Sequence, residues 1–242
     1  MTSQTRVAIV TGGSRGIGRG VVRRLAADGY AVVVNYAGNE AEARAAVQEA
    51  GANAIAVQAD VADEQAVELL FDAATEAFGG VDVVVHAAGR MDLAPLAEYD
   101  LATFDELIRV NVRGTFVVSQ QAVRRLRDGG ALITFSSSVV GLAFPTYSAY
   151  AASKGAVEAM TLVLARELRG RDVTVNTVAP GPTATSLFLD NNDAEAIEQR
   201  AKQAPLERLG RPEDIAGVVA FLAGAEGHWV NGQLLRANGG VI

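Results

Sequence analysis

The sequence contains no cysteine and only two histidines among its 242 residues. Without cysteine, the chain can form no disulfide and no thiolate-ligated metal site. The two histidines, His86 and His228, lie far apart in sequence, whereas a protein-bound metal needs several ligands close together. We therefore expect no metal site.

The sequence also lacks a block of five like charges and any long apolar run. Its formal net charge of −7 does not suit a nucleic-acid partner. Residues 1–5 are polar, and the first apolar run, at positions 7–10, is far too short for a signal peptide or a membrane span. These features predict a cytoplasmic protein with neither nucleic acid nor membrane as partner.

Short β-branched runs alternate with helical segments along the whole chain. Strands are predicted at positions 6–11, 31–36, 54–58, 81–86, 131–135, 173–178 and 233–236. Helices are predicted at positions 19–28, 40–50, 64–78, 103–127, 149–168 and 212–223. This alternation predicts an α/β fold: a doubly wound parallel sheet of Rossmann type, three layers thick, as a single domain over 1–242. Positions 186–203 lack strong periodicity and are predicted to form a helical lid over a substrate pocket.

The first predicted strand runs into a glycine-rich loop and then into a helix. Backbone N–H groups and the helix dipole at such a junction can hold a pyrophosphate. The spacing is G-x-x-x-G-x-G rather than the usual G-x-G-x-x-G, so the loop alone suits a nucleotide site and a structural turn equally well. The candidate cofactor residues here are Gly12, Ser14, Arg15, Gly16, Ile17 and Gly18.

The end of the second strand indicates which nicotinamide cofactor would fit. An acidic residue there would bind the ribose 2′-hydroxyl of NAD, but this chain has Asn35 and Tyr36. Arg15 in the glycine loop can instead face a 2′-phosphate. We expect NADP(H) in preference to NAD(H).

Several polar or small residues follow other predicted strands. Because ligands of doubly wound sheets bind beyond the carboxyl ends of the strands, these positions are expected to share one site. The residues are Asp60 and Val61, then Ala87, Ala88 and Gly89, a serine triplet at positions 136–138, and Pro180, Gly181, Thr183 and Thr185.

Tyr150 and Lys154 are four residues apart in a predicted helix, and so lie on one face. A nearby ammonium would lower the pKa of the phenol from its ordinary value of ~10 and let it exchange a proton with a substrate. A serine of the triplet could bind the same substrate oxygen. Alone, such a pair is more typical of a solvated helix face.

The long helix predicted at positions 103–127 contains Asn111 and, closely after it, Gly114. Both residue types are unfavourable inside a helix. Such local conflicts often mark a functional site, although a tolerated polar residue is the alternative interpretation.

Taken together, these motifs resemble the short-chain dehydrogenase/reductase family, in its single-domain branch. The motifs occur in the family's order, and they are spread over almost the whole chain. They are T-G-G-S-R-G-I-G from Thr11, D-V from Asp60, A-G from Ala88, N-V-R-G from Asn111, the serine triplet, Y-A-A-S-K from Tyr150, P-G from Pro180, R-L-G-R-P-E-D from Arg208, N-G-Q from Asn231 and N-G-G from Asn238.

The resemblance implies a nicotinamide-dependent oxidoreductase with four catalytic residues. Tyr150 would be the general acid in carbonyl reduction, and Lys154 would bind the nicotinamide ribose and keep the tyrosine pKa low. Asn111 would anchor a proton-relaying water. Ser138 is preferred as the serine that polarises the substrate, since V-V-G follows it; Ser137 is the second choice. Tyr150 lies 12 positions after Ser138 and 13 after Ser137, and the family uses either spacing.

The resemblance leaves the substrate open. The 3-oxoacyl-carrier-protein reductases and related ketone reductases are the nearest in pattern, which implies that a ketone is reduced to a secondary alcohol. A glucose or polyol dehydrogenase is the alternative, and a catalytically silent NADP-sensing regulatory protein is a weaker one. Acyl carrier protein stays open as a partner: basic side chains are present for it, but the pI near 4.9 is unfavourable. They are Arg124, Arg125, Arg127, Arg166 and Arg169.

Two further expectations come from the resemblance. His86 stands where the family has an asparagine, and a structural substitute is favoured over a catalytic base. A homotetramer is implied, with Trp229 and the stretch 239–242 suited to a subunit interface. Packing of Trp229 inside its own subunit is an equally good interpretation.

Overall fold

The computed structural model of the protein describes residues 5–242. In this part of the chain, seven parallel strands form one sheet in the order β3-β2-β1-β4-β5-β6-β7. Expectations about residues 1–4, including the polar start of the chain, lie outside the described residues. The strands are β1 (Val7–Thr11), β2 (Ala31–Tyr36), β3 (Ala54–Gln58), β4 (Val81–His86), β5 (Leu126–Phe135), β6 (Thr174–Pro180) and β7 (Leu234–Ala237).

Helices cover both faces of the sheet, which confirms the predicted doubly wound α/β fold. Across residues 5–242, none of them is both long and apolar enough to cross a membrane. They are α1 (Gly16–Ala27), α2 (Glu40–Ala50), α3 (Glu64–Phe78), α4 (Leu101–Ile108), α5 (Gly114–Arg125), α6 (Val139–Leu142), α7 (Ser148–Glu167), α8 (Ser186–Leu189), α9 (Ala194–Gln203) and α10 (Pro212–Ala223).

Two apolar cores lie on opposite faces of the sheet. In β1, Ala8 and Val10 join one core with α1 and α10, whereas Ile9 joins the other with α3 and α5. Successive strand side chains point to opposite faces, so a strand buried on both faces must be apolar throughout. This explains why the polar residues of β1 and β2 occur only at the carboxyl ends of these strands.

The order of the strands reverses at β1, which pairs with β2 on one side and with β4 on the other. The pairing of Thr11 with His86 places the segments after β1 and β4 side by side. A Cβ atom on Gly12, whose φ is +62°, would lie 2.8 Å from the Cα of Ala88. The reversal therefore forms a crevice beyond the strand ends, where such folds bind ligands.

The prediction of one long helix at positions 103–127 is wrong. The chain forms α4, then a π-helical turn at Arg109–Arg113, then α5, and β5 already begins at Leu126. The turn places Asn111 inward, and Gly114 packs so closely on Val61 that a Cβ would come within 2.8 Å of it. The locally unfavourable Asn and Gly thus coincide with an interruption of the helix.

The segment predicted as a helical lid forms two helices rather than one. The short helix α8 is followed by a turn and then by α9, which Asp193 caps by accepting a hydrogen bond from the N–H of Ala196. Neither helix has a fully buried residue. The segment therefore lies on the surface.

Candidate active site

A cavity opens at the carboxyl edge of the sheet, between the ends of β4, β5 and β6, the start of α7, and α8. Its lining combines residues from most parts of the sequence-predicted site; the ends of β2 and β3 and Asn111 do not line it. The predicted residues that line it are Ile17, Ala87, Gly89, Ser136, Ser137, Ser138, Tyr150, Lys154, Pro180, Gly181, Thr183 and Thr185.

Tyr150 and Lys154 lie one turn apart on α7, and both are almost fully buried. The Nζ of Lys154 lies 5.7 Å from the centre of the Tyr150 ring and donates a hydrogen bond of 3.0 Å to the carbonyl of Phe135, at the end of β5. Burial lowers the pKa of Lys154 to about 8, because the ammonium loses hydration. The pair thus forms part of the buried wall, not a solvated helix face.

The expected lowering of the Tyr150 pKa is not what the protein environment produces. Burial raises the pKa of the phenol to about 12, a side-chain hydrogen bond with Ser137 opposes this rise, and the nearby Tyr147 adds to it. Desolvation of the phenolate therefore outweighs any benefit from Lys154. At neutral pH the tyrosine is a protonated phenol, the state that a proton donor requires.

The structure distinguishes the surroundings of the two candidate serines. The Ser138 hydroxyl is buried and engaged away from the tyrosine: it donates to the carbonyl of Ala179 at 3.2 Å and accepts from Nδ2 of Asn238 at 3.0 Å. Ser137 is the serine whose side chain faces the Tyr150 phenol. The hydrogen bonds of Ser138 therefore favour Ser137, the second choice, as the serine nearest the phenol.

Asn111 occupies the π-helical turn and is buried. Its amide donates to the carbonyl of Arg90 and to Oγ of Ser153, each at 3.0 Å, and its Oδ1 accepts from the N–H of Arg90 at 2.9 Å. A Cβ on Gly89 would lie 3.3 Å from this Oδ1 and 3.5 Å from the Nζ of Lys154. Asn111 is therefore next to the lysine, across Gly89.

The glycine loop after β1 has the close packing of a phosphate cradle. Gly12 lies against Ala88, and a Cβ on Gly18 would overlap the carbonyl of Gly12. Arg15, at the start of α1, is exposed, whereas Ser14 is buried. The loop therefore presents backbone N–H groups and an exposed cation near the crevice.

The prediction that Asn35 faces the cofactor is wrong. Its side chain is buried beneath the glycine loop, accepts from the N–H of Gly12 at 3.4 Å and donates to the carbonyl of Ala59 at 3.0 Å. Asn35 thus connects β2, β3 and the loop. Tyr36, the last residue of β2, is the adjoining candidate.

Asp60 and Val61, which follow β3, lie outside the cavity. One carboxylate oxygen of Asp60 bonds Nη1 of Arg109 at 2.8 Å, and the other accepts from the N–H of Ala62 at 2.9 Å. Val61 packs on Gly114. The loop after β3 is thereby fixed to the π-helical turn that carries Asn111.

The loop after β6 approaches the glycine loop from above. A Cβ on Gly16 would lie 3.3 Å from Cγ2 of Thr185, and Thr183 donates to the carbonyl of Gly181 at 2.9 Å. Gly181 lies against Asn238, where a Cβ would come within 2.8 Å. The predicted residues after β1, β4 and β6 thus meet at one crevice.

Two contributors to this region were not singled out from the sequence. Asn238 holds Ser138, and Arg200, which lies within the predicted lid, lines the cavity beside Phe144. Arg200 had a sequence signal: no acidic residue lies three or four positions from it, unlike Lys202, which has Glu198 four positions before it. Asn238 had none beyond its N-G-G motif, because its partner is 100 positions away.

His86 is buried at the end of β4, and its Nδ1 shares a hydrogen bond of 2.8 Å with Oγ1 of Thr11. Its Nε2 has no hydrogen-bond partner within residues 5–242. Burial, assisted by the charge of Lys154, lowers its pKa to about 3. The imidazole is thus neutral and poorly suited to take up a proton, as expected for a structural substitute.

Comparison with known proteins agrees with this geometry. A family model described as enoyl-(acyl carrier protein) reductase matches residues 12–242. A short-chain type dehydrogenase/reductase of Picea abies is 45% identical over 250 residues, which cover 98% of this chain and 92% of that protein. A chloroplastic NADPH-dependent aldehyde reductase-like protein of Arabidopsis thaliana is 41% identical over 254 residues, which cover 98% and 94%.

A solved structure extends the similarity to three dimensions. The short-chain dehydrogenase of Burkholderia cenocepacia in complex with NADP superposes with a TM-score of 0.92 at 40% identity, covering 98% of both chains. The extent of these matches, together with the parallel sheet and the crevice at its strand reversal, shows that the chain belongs to the short-chain dehydrogenase/reductase family.

Proposed function

We propose that the protein is an NADPH-dependent oxidoreductase that reduces a small hydrophobic ketone or aldehyde to an alcohol. The observation that carries this proposal is the buried Tyr150, a protonated phenol with a pKa of about 12, on the wall of a cavity beside Ser137 and Lys154. Such a phenol is suited to give a proton to an oxygen that gains negative charge.

The crevice suits a dinucleotide. The glycine loop is packed so closely that a side chain at Gly12 or Gly18 would collide with backbone atoms. Its backbone N–H groups are suited to bind a pyrophosphate. Arg15 is placed for a 2′-phosphate, and Tyr36 leaves the end of β2 without a carboxylate. The names of the Arabidopsis relative and of the Burkholderia structure, which contain NADPH and NADP, support this preference.

When bound, NADPH would supply the hydride for the carbonyl carbon. Tyr150 gives its hydroxyl proton to the carbonyl oxygen, and Ser137 donates a hydrogen bond to the same oxygen. Lys154 would hold the nicotinamide ribose; it is charged below a pH of about 8 and would then stabilise the phenolate left on Tyr150. Asn111, adjacent to Lys154, is placed to hold a water through which the tyrosine regains its proton.

The lining of the cavity favours a hydrophobic carbonyl compound over a sugar. Its walls include Met91, Leu142, Phe144, Tyr147 and Phe188. These apolar side chains offer no hydrogen bond to the hydroxyls of glucose or a polyol, so that alternative is disfavoured. A silent NADP sensor is disfavoured because Ser137, Tyr150 and Lys154 lie together at one cavity.

A 3-oxoacyl thioester is a second candidate substrate, but its carrier protein is not favoured. Of the five arginines that would receive the carrier, Arg125 pairs with Asp72 at 2.6 Å and Arg127 with Asp82 at 3.2 Å. Paired arginines offer less net charge to an acidic partner. We retain the thioester as a substrate to be tested without its carrier.

The experiment is a panel of carbonyl compounds, with oxidation of NADPH followed by absorbance and NADH run in parallel. The panel contains a 3-oxoacyl thioester, ethyl acetoacetate, a cyclic diketone, an aryl ketone and an aromatic aldehyde. Turnover of at least one compound with NADPH, lost in Tyr150→Phe, is the expected result. Tight NADPH binding without turnover of any compound would contradict the proposal and favour the sensor.

We further propose that the enzyme is a homotetramer and acts in the cytoplasm. The location rests on composition alone. For assembly, Trp229 is 98% exposed, so packing within its own subunit is not the arrangement found. Phe116, Leu162, Val163 and Phe221 are also exposed, and large apolar side chains of this kind are typical of contacts between subunits.

A further inference from the structure

Two cations that line the cavity, Lys154 and Arg200, lack an acidic partner among the described residues. Arg200 projects from α9, and its Cζ lies 3.6 Å from the centre of the Phe144 ring, a stacking distance. Both side chains line the cavity that contains Tyr150. Stacking on the ring fixes the plane of the guanidinium and leaves its N–H edges free to bind a ligand.

Arg200 differs in this respect from Arg90 and Lys202. Within residues 5–242, no carboxylate lies within 4 Å of Arg200, whose only hydrogen bond joins Nη1 to Oε1 of Gln203 at 3.1 Å. By contrast, Arg90 at the same cavity bonds Asp92 at 2.7 Å, and Lys202 on the same helix pairs with Glu198. The cavity therefore has a net positive charge at Arg200.

Aromatic rings connect this charge to the reacting end of the cavity. The centres of Phe144 and Tyr147 are 5.8 Å apart, and those of Tyr147 and Tyr150 are 6.4 Å apart. The charge acts along this wall, because it opposes the burial-driven rise in the pKa of Tyr147. An elongated ligand can thus lie along the rings with its carbonyl at Tyr150 and its far end at Arg200.

We propose that Arg200 forms a carboxylate-binding subsite and that the preferred substrates are oxo acids. Their carbonyl and carboxylate would be separated by an apolar segment that lies along Phe144 and Tyr147. A planar guanidinium matches a carboxylate with two parallel hydrogen bonds. This inference rests on the proposed carbonyl reduction and specifies its substrate class.

The test compares a series of ω-oxo carboxylic acids of increasing length with their methyl esters. Each ester keeps the carbonyl and the apolar segment but removes the negative charge. The wild type is expected to prefer the acid over the ester at one chain length, where the carboxylate reaches Arg200. Arg200→Gln should lower kcat/KM for that acid about tenfold, the loss typical of a charge-assisted hydrogen bond, and change kcat/KM for the ester less than about twofold.

Two further variants make the comparison specific. Lys202→Gln removes a positive charge from the same helix, but one that is exposed and already paired with Glu198, and it should leave the acid-to-ester ratio unchanged. Arg200→Lys keeps the charge without the planar fork and should retain part of the preference. Equal thermal melting temperatures would show that the variants are folded.

Equal acid-to-ester ratios in the wild type and in Arg200→Gln would overturn the subsite while leaving the reductase function intact. An equal loss for acid and ester, with a raised KM for NADPH, would also overturn it, because Arg200 would then serve the cofactor. If the wild type reduced none of these aldehydes and no ketone of the larger panel, the proposed function would fail and this inference with it.

Discussion

The chemistry of single residues in this protein depends on burial more than on neighbouring charge. Tyr150 and Lys154 have the spacing that predicts mutual stabilisation, yet burial raises the pKa of the phenol to about 12 and lowers that of the ammonium to about 8. Each group is pushed toward its neutral form. Sequence spacing predicts their proximity, but not how much water surrounds them, which depends on the loops after β4, β5 and β6.

These pKa values predict the pH dependence of carbonyl reduction. Tyr150 is protonated far above neutral pH, so its donor form does not limit the rate below about pH 10. Lys154 loses its charge as the pH rises through about 8, and we expect kcat/KM to decline above that pH. Initial rates from pH 6 to 10 measure this. In Lys154→Arg the guanidinium remains charged, so the residual kcat/KM of this variant should not decline above pH 8. If kcat/KM of the variant declined as much as that of the wild type, the titration would belong to another group.

The two serines should separate in a pair of alanine variants. Ser137→Ala removes the hydroxyl that faces Tyr150 and should lower kcat roughly 10- to 100-fold with little loss of stability. Ser138→Ala leaves Ala179 and Asn238 without their buried partner and should cost about 1–3 kcal/mol of unfolding free energy. Steady-state kinetics and urea denaturation measure both. A larger kcat loss for Ser138→Ala would make Ser138 the catalytic serine after all.

At the scale of elements, the sequence predicted what depends on periodicity and missed what depends on distant partners. The seven strands and their carboxyl ends follow from β-branched runs that alternate with helices. The π-helical turn has no such signal, because it depends on Gly114 packing against Val61 and on Asn111 bonding Ser153. The surroundings of Ser138 have no such signal either, because sequence does not show that Asn238 binds Ser138 from the far end of the chain.

The glycine loop and the end of β2 together decide cofactor preference. Arg15→Ala should raise the KM for NADPH about tenfold and leave that for NADH almost unchanged, because only NADPH has the 2′-phosphate. Tyr36→Asp should shift preference further toward NADH. Coenzyme titrations at a fixed carbonyl concentration measure both, and an unchanged ratio in both variants would place the 2′-phosphate elsewhere.

Asn35→Asp is the matched control in this experiment. Asp would place a carboxylate beneath the glycine loop and remove the amide that donates to Ala59. A buried unpaired charge is costly, so this variant should lose several kcal/mol of unfolding free energy. It should report on stability, not on cofactor choice.

For the whole molecule, His86 makes stability sensitive to acid. Its pKa is about 3 in the folded protein, against 6.5 for an unperturbed histidine, so below pH 6.5 the unfolded chain binds a proton that the native protein does not. Its stabilising contribution is therefore complete above pH 6.5 and decreases as the pH falls toward about 3. Two pH units below 6.5, the loss is about 2–3 kcal/mol.

The variant His86→Asn should remove this part of the acid sensitivity. Urea denaturation from pH 4.5 to 7.5, at fixed protein concentration, should show a smaller loss of unfolding free energy in the variant than in the wild type. His228→Asn is the control, since His228 is at the surface beside Asp172, and it should follow the wild type. Identical slopes for His86→Asn and wild type would contradict the argument.

The proposed homotetramer can be tested with a variant of its most exposed aromatic residue. Trp229→Ser should dissociate the proposed tetramer or lower its order, because it removes the most exposed aromatic side chain described. Light scattering after size exclusion measures the mass, and Leu69→Ser, which removes an exposed leucine from α3, is the comparison variant. A monomeric wild type would contradict the proposal.

The parallel sheet has a consequence for how the protein reaches its native state. Every strand pair is separated by a crossover, and at the strand reversal Thr11 and His86 meet across 75 positions. Chain entropy must be lost before such pairings give any stability, so proteins of this topology fold slowly. Meanwhile the apolar strands β1 and β4 remain open to other chains. The yield of refolding should therefore fall as protein concentration rises, and synthesis at reduced temperature should increase the soluble fraction.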